Sequence, residues 1–167
     1  MKFSTKQLVT SAMVAAIYVV VTLFIVPALS FQSIQFRIAE AFTALPYFSP
    51  IFIPSLFIGC IISNLGSPLG VIDIALGSLA TLISACLTYL IGKSSIKYKK
   101  FLAPLPPVII NALVVGFELN YILKLPLLLT MLQVGIGEFV CAYILGLVLI
   151  SFIEKNSKFK KLFSGEK

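Results

Sequence analysis

The chain of 167 residues carries six acidic residues, and four of them, Glu40, Asp73, Glu118 and Glu138, fall within or beside long apolar runs. Near them in sequence stand Arg37 and the amides Gln35, Asn64, Asn111 and Gln133. At membrane depth each such group is expensive, so it pairs, lines a wet cavity or holds a ligand. Carboxylates and amides together accept and donate hydrogen bonds toward a flat polar molecule. Catalytic order is missing. There is no histidine, which removes the commonest general base and metal ligand. No phosphate-binding glycine loop, G-x-S-x-G or H-E-x-x-H motif occurs. Cys60, Cys86 and Cys141 stand singly in apolar runs, without metal-ligand spacing, and read as small buried hydrophobes. The expectation is a binder, with no enzymatic activity, metal or cofactor.

Each polar residue has a bland reading beside the functional one. Glu138 lies eight residues past Thr130, about 12 Å along a helix, and Gly135 and Gly137 before it allow close approach. It could instead pair with Arg37 or be protonated. Asn111 precedes Glu118 by seven residues, on nearly the same helix face; Glu118 could equally be interfacial, and Asn111 could bond a neighbouring helix. Arg37 and Glu40, three apart, could simply pair. Asp73 could cap its helix. Phe36 and Tyr121 are candidate stacking surfaces that lipid contact would also explain.

The elements that must position these groups follow from composition. Hydrophobic residues make up 59% of the chain and charged ones 11%, with mean hydropathy +1.08. A soluble domain is about 25% charged, so this is an all-α integral membrane protein. Proline, glycine and charge punctuation gives six helices, at about 8–26, 36–45, 51–64, 71–91, 107–121 and 132–153, forming one membrane domain over 1–167. Pro46–Pro50 is read as a tight connection and Ser30–Gln35 as a looped one. The basic start and Ala28–Leu29–Ser30 imitate a signal peptide, but the apolar run Leu8–Leu29 is too long for a removable one and reads as a retained helix.

Eleven of the thirteen basic residues lie at the N-terminus, in the loop 93–100 or in the tail 154–167. Positive residues stay cytoplasmic, and six crossings put those segments on one side, so both termini are expected inside. The charge of +7 is then an orientation signal, and nucleic acid is not an expected partner. Gln35, Arg37 and Glu40, Asn64 and Asp73, Glu118 and Tyr121, and Gln133 and Glu138 gather toward the outer side as a polar cup drawn from helices 2 to 6. The cytoplasmic half is a plug. On helix 1, Ala12 and Ala16 stand four apart, a spacing that permits close helix packing.

Several stretches in order resemble one family. Phe31–Gln32–Ser33–Ile34–Gln35–Phe36–Arg37–Ile38–Ala39–Glu40 is similar to its SFGPIQFRVSEA stretch. Phe57–Ile58–Gly59–Cys60–Ile61–Ile62–Ser63–Asn64, then Ser67–Pro68–Leu69–Gly70 and Asp73, resemble FIGCLIAN…SPLGxxD. Gly77–Ser78–Leu79–Ala80–Thr81–Leu82 resembles GSLATL. Leu102–Ala103–Pro104–Leu105–Pro106–Pro107 with Asn111 and Glu118, and Val134–Gly135–Ile136–Gly137–Glu138, resemble LAPLPPVxxNAxxVGxE and VGxGE. The chain resembles the QueT family over about residues 5–153. That family comprises substrate-binding S components of energy-coupling factor (ECF) transporters.

The resemblance implies a six-helix bacterial plasma-membrane protein that captures a queuosine precursor from outside. The ligand would be a 7-deazaguanine with a cyano or aminomethyl group, or queuine. Implied partners are a transmembrane T component, contacted through Ala12 and Ala16, and two cytoplasmic ATPases, besides membrane lipid. The ligand's guanine-like edge suits Glu138 or Glu118, with Asn111, Gln133 or Asn64 donating to its carbonyl. Alternatives are an S component for another vitamin, or a membrane assembly factor with no ligand.

Overall fold

The computed structural model describes residues 3–25, Ser30 and 36–164, and every regular element among them is helical. Helix α1 runs Thr5–Val20 and continues as a π-helical turn to Ile25. Its start is fixed reciprocally: Gln7 N donates to the Ser4 hydroxyl at 3.3 Å, and Ser4 N donates to the Gln7 side chain at 2.9 Å. Helix α2, Ile38–Tyr47, is wound as a 3-10 helix, and α3 spans Phe52–Asn64. Gly70, at φ 71°, ends the next turn in a conformation that suits glycine, and α4 follows over Val71–Lys93. After a helical turn at Lys99–Leu102, α5 covers Leu105–Leu123. Pro106 and Pro107 sit in its first turn, where no amide donor is needed. Helix α6 runs Leu127–Lys155, with a π-helical stretch at Phe139–Ile144, and α7 is Ser157–Ser164.

Among the described residues four helical stretches are long and apolar enough to cross a membrane: Thr5–Ile25, Val71–Lys93, Lys99–Leu123 and Leu127–Lys155. Phe24, Val71, Leu128 and Val148 face outward, while Thr22, Thr43, Ser84 and Thr88 are buried. Apolar surface outside and small polar side chains between helices is the arrangement a lipid solvent favours.

Several element bounds differ from the sequence expectation. Pro46 lies inside α2 rather than after it, because α2 is at its last turn there. The sixth helix begins five residues early: Lys124 takes the left-handed conformation (φ 57°), which ends α5, and Pro126 caps α6 at once. The expected end of helix 1 at Val26 and the connection Ser30–Gln35 lie, Ser30 apart, outside the described residues.

The lysine-rich end is closed by close packing. A Cβ at Gly92 would fall 2.6 Å from the Tyr47 carbonyl oxygen, so only glycine lets α4 touch the end of α2 there. The Thr88 hydroxyl donates to the Ala103 carbonyl at 2.9 Å. Glu154 accepts from Lys100 at 2.7 Å and from the Tyr47 hydroxyl at 3.2 Å. Helix α7 lays Phe163 against Phe52 and Phe159 against Phe152.

Candidate functional site

At the opposite end, the last turn of α3, the first turns of α2 and α4, and facing turns of α5 and α6 bring charged groups into the interior. Arg37, Glu40, Asn64, Asp73, Asn111, Glu118 and Glu138 are all buried, none more than 5% exposed. Arg37 Nη1 lies 4.0 Å from Glu40 Oε1, so the i, i+3 pair forms. It is not isolated. The Tyr18 hydroxyl on α1 also donates to Glu40 Oε1. A polar contribution from helix 1 was not expected, and it corrects the view of a cup drawn from helices 2 to 6 alone.

Cys60 is a small buried residue of the core, as expected, and its sulfur is also an acceptor. It accepts from Thr81 Oγ1 at 3.3 Å, Asn64 Nδ2 at 3.5 Å and Arg37 Nη1 at 3.8 Å, where α2, α3 and α4 meet. Asn64 Nδ2 also donates to the Asp73 backbone carbonyl at 2.9 Å, locking the α3–α4 corner. A Cβ at Gly77 would come within 2.8 Å of both Asn64 Nδ2 and Asp73 Oδ1, so a side chain at that turn of α4 would displace the ends of both. Asp73 does not cap α4: the cap residue is Gly70, and no side chain bonds the helix start. The Asp73 carboxylate faces inward.

Deeper in the bundle, Asn111 Nδ2 donates to Glu138 Oε1 at 2.9 Å. Glu138 therefore takes its hydrogen bond from α5, not from Arg37. Glu118 is 1% exposed, and neither of its carboxylate oxygens has a partner among the described residues. Glu118 lies on α5, which packs against α4, the helix that carries Asp73. Further buried acceptors without a donor among the described residues are Glu40 Oε2, Asp73 Oδ2, Glu138 Oε2, Asn64 Oδ1 and Asn111 Oδ1. Buried acceptors in native proteins ordinarily have donors. An interior with this surplus is chemically matched to a molecule that brings several N–H or O–H groups.

Two comparisons with known proteins bear on this geometry. The family model for the QueT transporter matches residues 8–155. The chain belongs to the QueT transporter family. It is also 30% identical over 158 residues to the queuosine precursor transporter QueT of Lactococcus lactis subsp. cremoris (strain MG1363), covering 86% of this chain and 89% of that protein. No solved structure matches the chain. Family and apolar helices together make it a multi-pass membrane transport protein rather than an enzyme.

In this family member, not every expected site residue joins the cluster. Tyr121 is 60% exposed, stacked on Phe117 with Lys124 over its ring, and faces outward. Phe36 and Gln133 are half-buried. Gln35 lies outside the described residues. Ala12 and Ala16 line a shallow apolar groove between α1 and α3, beside Ala15, Pro54, Ile58 and Ile62, away from the carboxylates. Sequence reasoning passed over Tyr18, Cys60 and Thr81. A phenol in the middle of an apolar helix needs a partner in lipid, and that signal pointed to Tyr18.

Proposed function

We propose that the chain is the substrate-binding S component of an ECF transporter and takes up a 7-deazaguanine precursor of queuosine. The observation that carries this reading is the acceptor-rich buried cluster at one end of an apolar bundle. In this reading six helices cross the bacterial plasma membrane. Both termini and Lys93–Lys100 are cytoplasmic, and the cluster opens outward.

The ligand's chemistry fits the groups present. A guanine-like edge offers a ring N–H beside an amino group, and one carboxylate accepts both as charge-assisted bonds. Glu138, held in orientation by Asn111, suits that flat edge. The Arg37 guanidinium, with five N–H donors, and the Gln133 amide suit its carbonyl. Asn64, Asp73, Glu40 and Glu118 complete the wall. The exposed groove at Ala12 and Ala16 is the proposed contact for the T component, because small residues there let another helix approach closely. Energy comes from two separate ATPases, since this chain has no nucleotide-binding motif.

Binding of a radiolabelled 7-deazaguanine to the purified chain tests the reading. Saturable binding without ATP is expected; absence of binding by any 7-deazaguanine contradicts it. The double variant Ala12→Trp with Ala16→Trp should retain that binding, lose co-purification with the T component and lose uptake. Full co-purification would remove the proposed contact.

A further inference from the structure

The short helix beyond α6 carries a pattern that the buried cluster does not use. Helix α7, Ser157–Ser164, sets Phe159 and Phe163 four apart with Leu162 beside them, and gives Lys158, Lys160 and Lys161 to the rest of its surface. Phe163 rests on Phe52 and Phe159 on Phe152. Phe152 is exposed on the outer surface of α6, so α7 is held where the apolar wall of the bundle ends. Phe159 and Leu162 stay partly exposed themselves. Thr5, Lys6, Val9 and Thr10 of α1 form a groove of about 260 Å³ with Leu162. Leu8 and Val9 are exposed at the start of a stretch long and apolar enough to cross a membrane, so this groove adjoins the lipid-facing surface.

The lysines here lack counter-charges. Lys6, Lys155, Lys158, Lys160 and Lys161 are all exposed, and among the described residues none has an ion-pair partner. The acidic side chains are elsewhere: Glu40, Asp73, Glu118 and Glu138 are buried in the polar end, and Glu154 is taken by Lys100. A helix with aromatic and leucine side chains on one face and lysines on the other lies in the plane of a bilayer interface. An acidic protein face would satisfy the lysines and leave Phe159, Leu162 and the groove without hydrocarbon. An anionic phospholipid supplies both. We propose that α7 and the start of α1 form a binding site for an anionic phospholipid, with an acyl chain in the groove along Val9 and Leu162 and the headgroup phosphate among Lys6, Lys158 and Lys161. This site stands apart from the proposed transport ligand and does not depend on it.

The test is native mass spectrometry of the purified full chain in detergent, titrated with phosphatidylglycerol or with phosphatidylcholine of the same acyl chains. A lysine near an anionic headgroup contributes about fivefold in affinity, so phosphatidylglycerol is expected to bind about tenfold to a hundredfold more tightly. The double variant Lys158→Gln with Lys161→Gln should lose about fivefold per lysine for phosphatidylglycerol and leave phosphatidylcholine unchanged. Leu162→Ser should weaken both lipids alike. Lys97→Gln removes one charge from the loop 93–100 and should change neither. All four side chains are exposed, so these replacements leave the packing of the bundle untouched. Equal affinity for the two lipids overturns the proposal and leaves the lysines to an acidic protein face. A preference for phosphatidylglycerol that the double variant keeps overturns the assignment to α7. A per-lysine loss in Lys97→Gln equal to that of the double variant overturns the site in favour of diffuse attraction.

Discussion

The two ends of the bundle bury polar groups in opposite ways. At the lysine-rich end the charged side chains and several hydroxyls are matched: Thr88 with the Ala103 carbonyl, Lys100 and Tyr47 with Glu154, and Lys99 with the Gly92 carbonyl at 2.9 Å. At the other end seven carboxylate and amide oxygens are buried without a donor among the described residues. Both ends are built from the same bundle of helices, so the difference lies in which groups face inward. A matched end is a mechanical support. An end left rich in acceptors is less stable than it could be, and such sites are where function is commonly found.

The strongest way to break this contrast is to disturb the support. Gly92→Leu drives a side chain into the Tyr47 backbone, which cannot move aside without shifting α2. A loss of stability of about 3 kcal/mol or more is expected, the upper range for overpacking. Thermal unfolding in detergent measures it, and an unchanged midpoint would mean that this end is not closed as described.

Glu138→Gln acts on the other end and should act differently. It removes a charge that accepts from the ligand while keeping shape and the contact with Asn111. Affinity should fall by about 1.5–3 kcal/mol, roughly a tenfold to hundredfold loss, with unfolding little changed. Loss of stability without loss of affinity would make Glu138 a structural group.

The smallest effect is expected for Lys100→Gln. Its ion pair with Glu154 is about one-third exposed on each side, and such pairs contribute about 0–1 kcal/mol. A small drop in the unfolding midpoint and an unchanged ligand affinity are expected. A clear affinity change would couple the two ends and erase the distinction between them.

Much of this contrast was legible in the sequence, for physical reasons that can be named. Costly groups in apolar runs pointed to Glu40, Asp73, Asn111, Glu118 and Glu138, because lipid leaves them no other solvent. Lysine placement marked the other end. What escaped was anything decided by packing between helices. Nothing local tells that Tyr18 on α1 turns toward Glu40, or that Cys60 gathers three donors from Arg37, Asn64 and Thr81. Asn111 was legible as a polar wall residue, but its choice of Glu138 as partner depends on how α5 meets α6. For Tyr121 the sequence left stacking and lipid contact open, because a position near the end of α5 says where along the bundle it sits and not which way it faces; it faces out. The start of α6 was missed because a lysine in the left-handed conformation, unusual for a residue with a side chain, ends α5 and lets Pro126 begin the next helix immediately.

On the proposed function the acceptor-rich end holds the ligand and the matched end does not. Hydrogen exchange by mass spectrometry on the full chain in lipid nanodiscs, with and without saturating 7-aminomethyl-7-deazaguanine, tests it most directly. Slower exchange is predicted in peptides covering 36–45, 60–77, 111–120 and 133–140, with little change over 88–104 and 145–155. Protection confined to 88–104 and 145–155 would contradict the account.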